Sequence, residues 1–149
     1  MEDSLGALYA WVTFNLGFVP FEHEYKLMGM APYARAGDAE EVCRIFEDAL
    51  EVDDEGLVFR RKTRKSMSAF GADLGPSLLG RRFDHICAGI QLFTEKMLTA
   101  WVCAAVRKTG VSDVLAAGGV FMNVKANAKI AAAPEVTSFQ AFPSCGDET

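Results

Sequence analysis

The pattern that most restricts this chain lies near its end, where the hydrophobic period changes. "DVLAA" (Asp113–Ala117) is a short apolar run suited to a buried strand, Val120 to Ala133 has helical spacing closed by Pro134, and "VTSFQAF" (Val136–Phe142) reads as a second strand. Strand, helix and strand in that order imply a right-handed βαβ unit with parallel strands. Such a unit gathers ligands at the carboxyl ends of its strands. Here Gly118 and Gly119 follow the first strand, and Pro143, Ser144, Cys145, Gly146 and Asp147 follow the second.

Upstream, the periodicity is helical. Asp3 or Ser4 can cap a helix carrying Leu5, Leu8, Tyr9, Val12 and Leu16 inward, with Gly17 as left-handed terminator and Pro20 blocking continuation. A short helix over Glu22–Met30 stops before Pro32. Residues 38–50 place Val42, Ile45, Phe46 and Leu50 on one face of a surface helix, and "VDDEGLVFR" suits a small hairpin about Asp54, Glu55 and Gly56. The basic run "RRKTRK" (60–65), with the Gly-, Ser- and Pro-bearing stretch up to Gly80, reads as a solvated loop rather than a nucleic-acid patch, which would carry more basic residues and interleaved aromatics. The longest helix runs from Asp84 to Gly110, with Ile86, Ile90, Phe93, Met97 and Trp101 forming a core stripe and Arg107 and Lys108 facing the helix dipole.

Composition narrows the partners. The chain has 149 residues, half of them hydrophobic, enough for one substantial core, and a net charge of −5 that offers no general attraction for nucleic acid or anionic membrane. The uncharged run Ser4–Phe21 has acidic residues ahead of it and is interrupted by Asn15, Gly17 and Pro20, which argues against a signal peptide or membrane span. The four cysteines lack CxxC spacing, and Cys87 and Cys103 fall on one helix too far apart for a disulfide. A reducing, cytoplasmic setting and a small-molecule partner are expected.

The chemistry-bearing residues follow. A glycine pair after a strand lets backbone approach a ligand and opens a helix N-terminus to phosphate, and Gly119, Asn123 and Asn127, spaced by four, would share one helix face where carboxamides meet a base or sugar. The plainer alternative is a tight turn with both asparagines in water. Asp147 beyond the second strand can ligate a metal or form a turn. Cys145 lacks an obvious histidine partner. In "HEYKLMGMAPY", Glu24 and Lys26 fit an exposed ion pair, or a glutamate accepting from ribose hydroxyls.

"SLGALYAWVTFNLGF", "EYKLMGMAPY" and "AAGGVFMNVKANAKI" followed by "FPSCGDET" resemble, in order, the O-carbamoyltransferases of antibiotic and nodulation-factor biosynthesis. The resemblance implies an α/β fold: the second half of an actin-like (hexokinase and Hsp70-type) ATPase domain, similar to the tRNA threonylcarbamoyl-transfer proteins, with helices on a small mixed sheet. It divides the chain into a helical region over about 1–110 and a βαβ nucleotide and metal region over about 111–149. It also implies ATP and carbamoyl-adenylate as cofactors, carbamoyl phosphate as donor, a small-molecule or sugar hydroxyl as acceptor, and a divalent metal, usually iron. Gly118, Gly119 and Asn123 would belong to the nucleotide segment, Glu24 would face the adenosine, Lys26 fits the pattern without an assigned contact, and Asp147 resembles the metal-binding aspartate.

The family's HxxxH metal motif and adenylate-forming domain are absent, and Ala34 stands where the family has glycine after "APY". The chain thus resembles an internal slice of a longer enzyme, expected to be inactive alone, with its dividing surface inviting a homodimer. The alternative is a nucleotide-binding module of an actin-like ATPase or sugar kinase without carbamoyl chemistry. A helical interaction domain, the third option, predicts no ATP or AMP binding at all.

Overall fold

In a computed structural model, residues 3–53, 55, 57–62, 64–143 and 145 are described. The fold is mixed α/β, with six α-helices and two separate two-stranded sheets among the described residues. It comprises two compact units, Met1–Glu51 with Phe59–Thr94, and Val52–Val58 with Glu95–Thr149.

In the first unit, helix α1 spans Leu5–Asn15 and begins where the Ser4 hydroxyl accepts from the Ala7 N–H at 3.2 Å. Leu5, Leu8, Tyr9, Ala10 and Val12 are all buried, and Gly17 terminates the helix at φ +81°. No helix among the described residues is long and apolar enough to cross a membrane. Helix α2 covers Glu24–Met30, shorter by two residues than its periodicity suggested, because residues 21–23 turn instead. The chain then continues through Pro32 as a 3-10 turn, Ala31–Tyr33, since proline is tolerated where a helical turn begins. Helix α3 covers Ala36–Glu47 and buries Val42 and Phe46. Leu50, assigned from spacing to this helix, instead starts strand β1 (Leu50–Val52), which pairs with β2 (Phe59–Arg61).

The stretch from Ser66 to Gly80 is not a loop. Residues Met67–Leu78 form α4, capped by the Ser66 hydroxyl, which accepts from the Ala69 N–H at 3.2 Å. Gly71 is there for close approach: a Cβ on it would come within 2.2 Å of the Trp11 ring of α1. Gly75, one turn on, would place a Cβ 3.2 Å from Asn15 Oδ1, and Asn15 Nδ2 donates to the Gly71 carbonyl at 2.9 Å. Tertiary packing overrides the weak helix propensity of Gly and Pro here. The basic run is also engaged, with Arg61 Nε on Asp3 at 2.6 Å and Lys65 Nζ on Asp73 at 2.5 Å.

Helix α5, Phe83–Thr109, supplies its first part to this unit. Gly89 lies against Val42, so that an added Cβ would be 2.5 Å from Cγ1, and Phe46 and Phe93 meet with ring centroids 6.1 Å apart. Tyr9 donates its hydroxyl to Gln91 Oε1 at 3.2 Å. Of the expected stripe, Ile86, Ile90, Phe93 and Met97 are buried and Trp101 is partly so.

In the second unit, the later part of α5 is followed by Gly110 at φ +71°, then strand β3 (Asp113–Ala116), a 3-10 turn (Gly119–Met122), α6 (Val124–Ala131) and β4 (Ser138–Ala141). Strands β3 and β4 are parallel neighbours, in register from Asp113 opposite Ser138 to Ala116 opposite Ala141. Arg107 does more than face a helix dipole, since its Nη1 pairs with Glu135 Oε1 at 2.9 Å. Cys103 Sγ donates to the other oxygen of that carboxylate at 3.6 Å, which ties α5 to the segment after α6. Trp101 Nε1 donates to the Leu57 carbonyl at 2.8 Å.

Candidate functional site

The parallel pairing brings the two strand exits to one end of the sheet. Phe142 N–H donates to the Ala116 carbonyl at 2.8 Å, so the chain entering the loop after β4 is still hydrogen-bonded to the last residue of β3. Two residues beyond Ala116, Gly118 adopts φ +112° and ψ 149°. That backbone region is essentially closed to residues with a Cβ. Gly119 lies outside it, and a Cβ at either glycine would meet nothing within 4 Å. Gly118 is therefore required by its dihedrals, whereas the described residues give no reason for glycine at 119.

The continuous helix expected from Val120 to Ala133 is broken. A 3-10 turn comes first, closed by Phe121 N–H on the Gly118 carbonyl at 2.9 Å and anchored by the buried Phe121 ring, whose centroid lies 6.2 Å from that of Phe139 on β4. Asn123 leaves the helical path at φ −76° and ψ 88°, and α6 starts after it. Gly119, Asn123 and Asn127 thus do not share one helix face, and the glycine pair opens the short turn rather than the α-helix. The physical reason is capping: Asn123 Oδ1 accepts from the Ala126 N–H at 3.1 Å, which asparagine does well at a helix start and poorly within one.

Nor does Asn127 simply face water. Its Nδ2 donates to the Phe121 carbonyl at 2.7 Å, and its Oδ1 is buried with no hydrogen-bond partner among the described residues. The four-residue spacing marked this position, but the bond back to the turn required the break at Asn123, which spacing does not encode. Cys145, in the loop after β4, is buried and donates to the Phe142 carbonyl at 2.7 Å. Asp147, proposed as a metal ligand, lies outside the described residues, as do Ser144 and Gly146.

Between the last turns of α5 and strand β3 runs a groove of about 380 Å³, lined by Trp101, Ala105, Thr109, Leu115 and Phe121 among others. Its lining is mostly apolar, and Asp113 at its edge already accepts from the Ser138 hydroxyl at 2.6 Å. On the same helix, the Cys103 thiol is pushed above its ordinary value, chiefly by burial and then by the neighbouring Glu135 carboxylate. Glu135 itself is lowered, first by a backbone hydrogen bond and further by Cys103 and Arg107.

Glu24 and Lys26 belong to the first unit, and each has a local partner. Glu24 Oε1 accepts from the Phe21 N–H at 2.7 Å, holding a residue whose φ is +67° and which is 85% exposed. Lys26 Nζ lies over the rings of Phe18 and Tyr25, 5.3 and 5.8 Å from their centroids, rather than against Glu24. The His23 Nδ1 accepts from the Val19 N–H at 3.1 Å. Among the described residues, no three His, Cys, Asp or Glu side chains are grouped to hold a metal ion.

Comparison with known proteins matches the chain to a family. The family model described as carbamoyltransferase N-terminus matches residues 1–149. An uncharacterized protein of Synechocystis sp. is 31% identical over 158 aligned positions, covering 97% of this chain and 25% of that protein. The chain thus spans about a quarter of the length of the curated relative it matches. With the family model matching the chain from its first residue to its last, this protein belongs to the carbamoyltransferase family.

Proposed function

We propose that this chain forms the nucleotide side of an enzyme that moves a carbamoyl group from carbamoyl phosphate, through carbamoyl-adenylate, to the hydroxyl of a small molecule or sugar. The observation that carries this reading is the parallel register of β3 and β4, because it sets the Gly118 turn beside the loop that follows Ala141. Family membership supports the reaction class. The actin-like ATPase fold belongs to the same proposal, and the strand–turn–helix–strand order of the second unit is compatible with it.

In this reading the acceptor oxygen attacks the carbamoyl carbon, the bond from that carbon to the phosphate oxygen breaks, and AMP leaves with the electron pair while the hydroxyl proton is lost. The chain's part is to hold the adenylate. Backbone at Gly118 and Gly119 would approach the phosphate, since the open space at Gly119 leaves room for a ligand atom where a Cβ would stand. The N-terminus of α6 is a poorer candidate than the sequence suggested, because Asn123 already occupies one of its free N–H groups. Asn123, by the family resemblance part of the nucleotide segment, would act here by capping α6 beside the glycine turn. For Glu24 and Lys26, in the first unit, the support is the family resemblance alone: Glu24 would offer Oε2 to a ribose hydroxyl while Oε1 accepts from the Phe21 N–H, and Lys26 fits the pattern without an assigned contact.

A divalent metal, iron by family resemblance, is part of the same proposal, with Asp147 as this chain's contribution. One carboxylate does not make a metal site, so further ligands would have to join Asp147. Asp147→Ala in the full-length protein tests the division of labour. Carbamoyl transfer is expected to be abolished while AMP affinity stays near wild type; unchanged transfer would remove Asp147 from the mechanism.

A further inference from the structure

The break at Asn123 leaves the Phe121 carbonyl outside a regular helical ladder, and the carboxamide of Asn127 takes it up. The bond spans six residues and ties the first part of α6 to the turn that opens at the glycine pair. The same side chain carries a buried Oδ1 with no partner among the described residues. A buried unsatisfied acceptor costs about 1–3 kcal/mol, which offsets what the bond to the Phe121 carbonyl contributes. Stability by itself therefore does not account for asparagine here. What the residue supplies is a fixed turn: Asn123 caps α6 from in front, and Asn127 holds the turn from behind.

We propose that Asn127 is a positioning residue that fixes the Gly118–Met122 turn in its ligand-receptive form, a role that rests on the nucleotide reading above. It acts through Phe121. With the donor removed, Phe121 remains anchored by its ring but its carbonyl is free to rotate, and the backbone between Gly118 and Met122 samples other conformations. Affinity then falls because the competent turn is populated for only a fraction of the time.

Asn127→Leu in the full-length protein tests this by removing the donor and the unpaired acceptor together. Amide hydrogen exchange and AMP titration are measured on the same samples. Exchange across residues 119–122 is expected to accelerate by about tenfold while α5 keeps its protection. AMP affinity is expected to fall by about tenfold, with the melting temperature retained. Unchanged exchange in the turn overturns the proposal whatever AMP does, and a loosened turn with unchanged AMP affinity overturns it as well. If the wild-type protein fails to bind AMP, the nucleotide reading falls, and exchange alone decides whether Asn127 holds the turn. Asn127→Ala, which also lacks both polar atoms, repeats the test should the leucine variant fail to fold.

Discussion

Ala116 and Ala141 stand opposite each other as the last paired residues of two parallel strands, and the Phe142 N–H still bonds to the Ala116 carbonyl at 2.8 Å. The proposed meeting of the glycine turn and the second exit loop depends on this juxtaposition. It fixes where the glycine turn begins relative to the second exit loop, independently of what either loop binds.

The two glycines of the turn should respond differently to the same substitution. Gly118→Ala forces a Cβ into a backbone region meant for glycine and is expected to cost about 1–3 kcal/mol, read as a lowered urea midpoint. Gly119→Ala meets no such strain and no neighbouring atom, so stability should hold or rise by about 0.4–1 kcal/mol. AMP binding should nevertheless fall in Gly119→Ala if a ligand atom occupies that space. Full affinity in this variant would remove Gly119 from the site.

A second pair of glycines tests the packing of the first unit. Gly71→Ala sets a Cβ against the Trp11 ring and Gly89→Ala sets one against Val42, and both neighbours are held within packed helices. Each substitution is expected to destabilise by about 1–3 kcal/mol in equilibrium denaturation. Trp11→Leu should recover part of the Gly71→Ala loss by opening space beside α1, with little benefit to Gly89→Ala.

The start of α5 carries an acid-sensitive pair. Arg82 donates to both oxygens of the buried Asp84, at 3.0 and 2.9 Å, and this hydrogen bonding holds the carboxyl below its ordinary value. A group whose folded value is lowered contributes stability above its unfolded value, and loses it as pH falls through the folded one. The melting temperature should therefore drop as pH is taken below the usual aspartate range of about 3.9. In Arg82→Met the buried carboxyl loses its partner, so the acid limb of the stability profile should move to higher pH.

Cys87 should be chemically silent in the folded protein. Burial, with the Asp84 charge adding to it, pushes its thiol up to about 12, and no disulfide engages it. The thiolate is the reactive form. Iodoacetamide at pH 8 should leave Cys87 unlabelled by peptide mass spectrometry in native buffer and modify it after denaturation. Rapid native labelling would show that the start of α5 opens readily.

Where periodicity was strong, local sequence and fold agree. The long stripe of α5, the cap and glycine stop of α1, and the strand–helix–strand order of residues 113–141 are all visible in residue spacing. The failures have a common physical origin. Gly71, Gly75 and Pro76 look like loop chemistry until α1 lies against them, and no local rule reports that a neighbouring tryptophan needs the space. Similarly, the four-residue spacing of Gly119, Asn123 and Asn127 suggests one helix face, but a capping asparagine at 123 costs less than an interior one, so the ladder breaks there.

The sequence alone determined the family, the alternation of strand and helix that makes the second unit parallel, and the residues with polar chemistry at its strand exits. It could do so because periodicity, turn residues and ordered motifs are local properties of the chain. Only the tertiary structure decided that Asn127 reaches back to Phe121, that Lys26 lies over aromatic rings, and that Gly71 serves packing rather than a turn. Those outcomes are contacts chosen among many that the residue types permit. Burial makes the choice, by penalising every polar group left unpaired and every atom placed where another already stands.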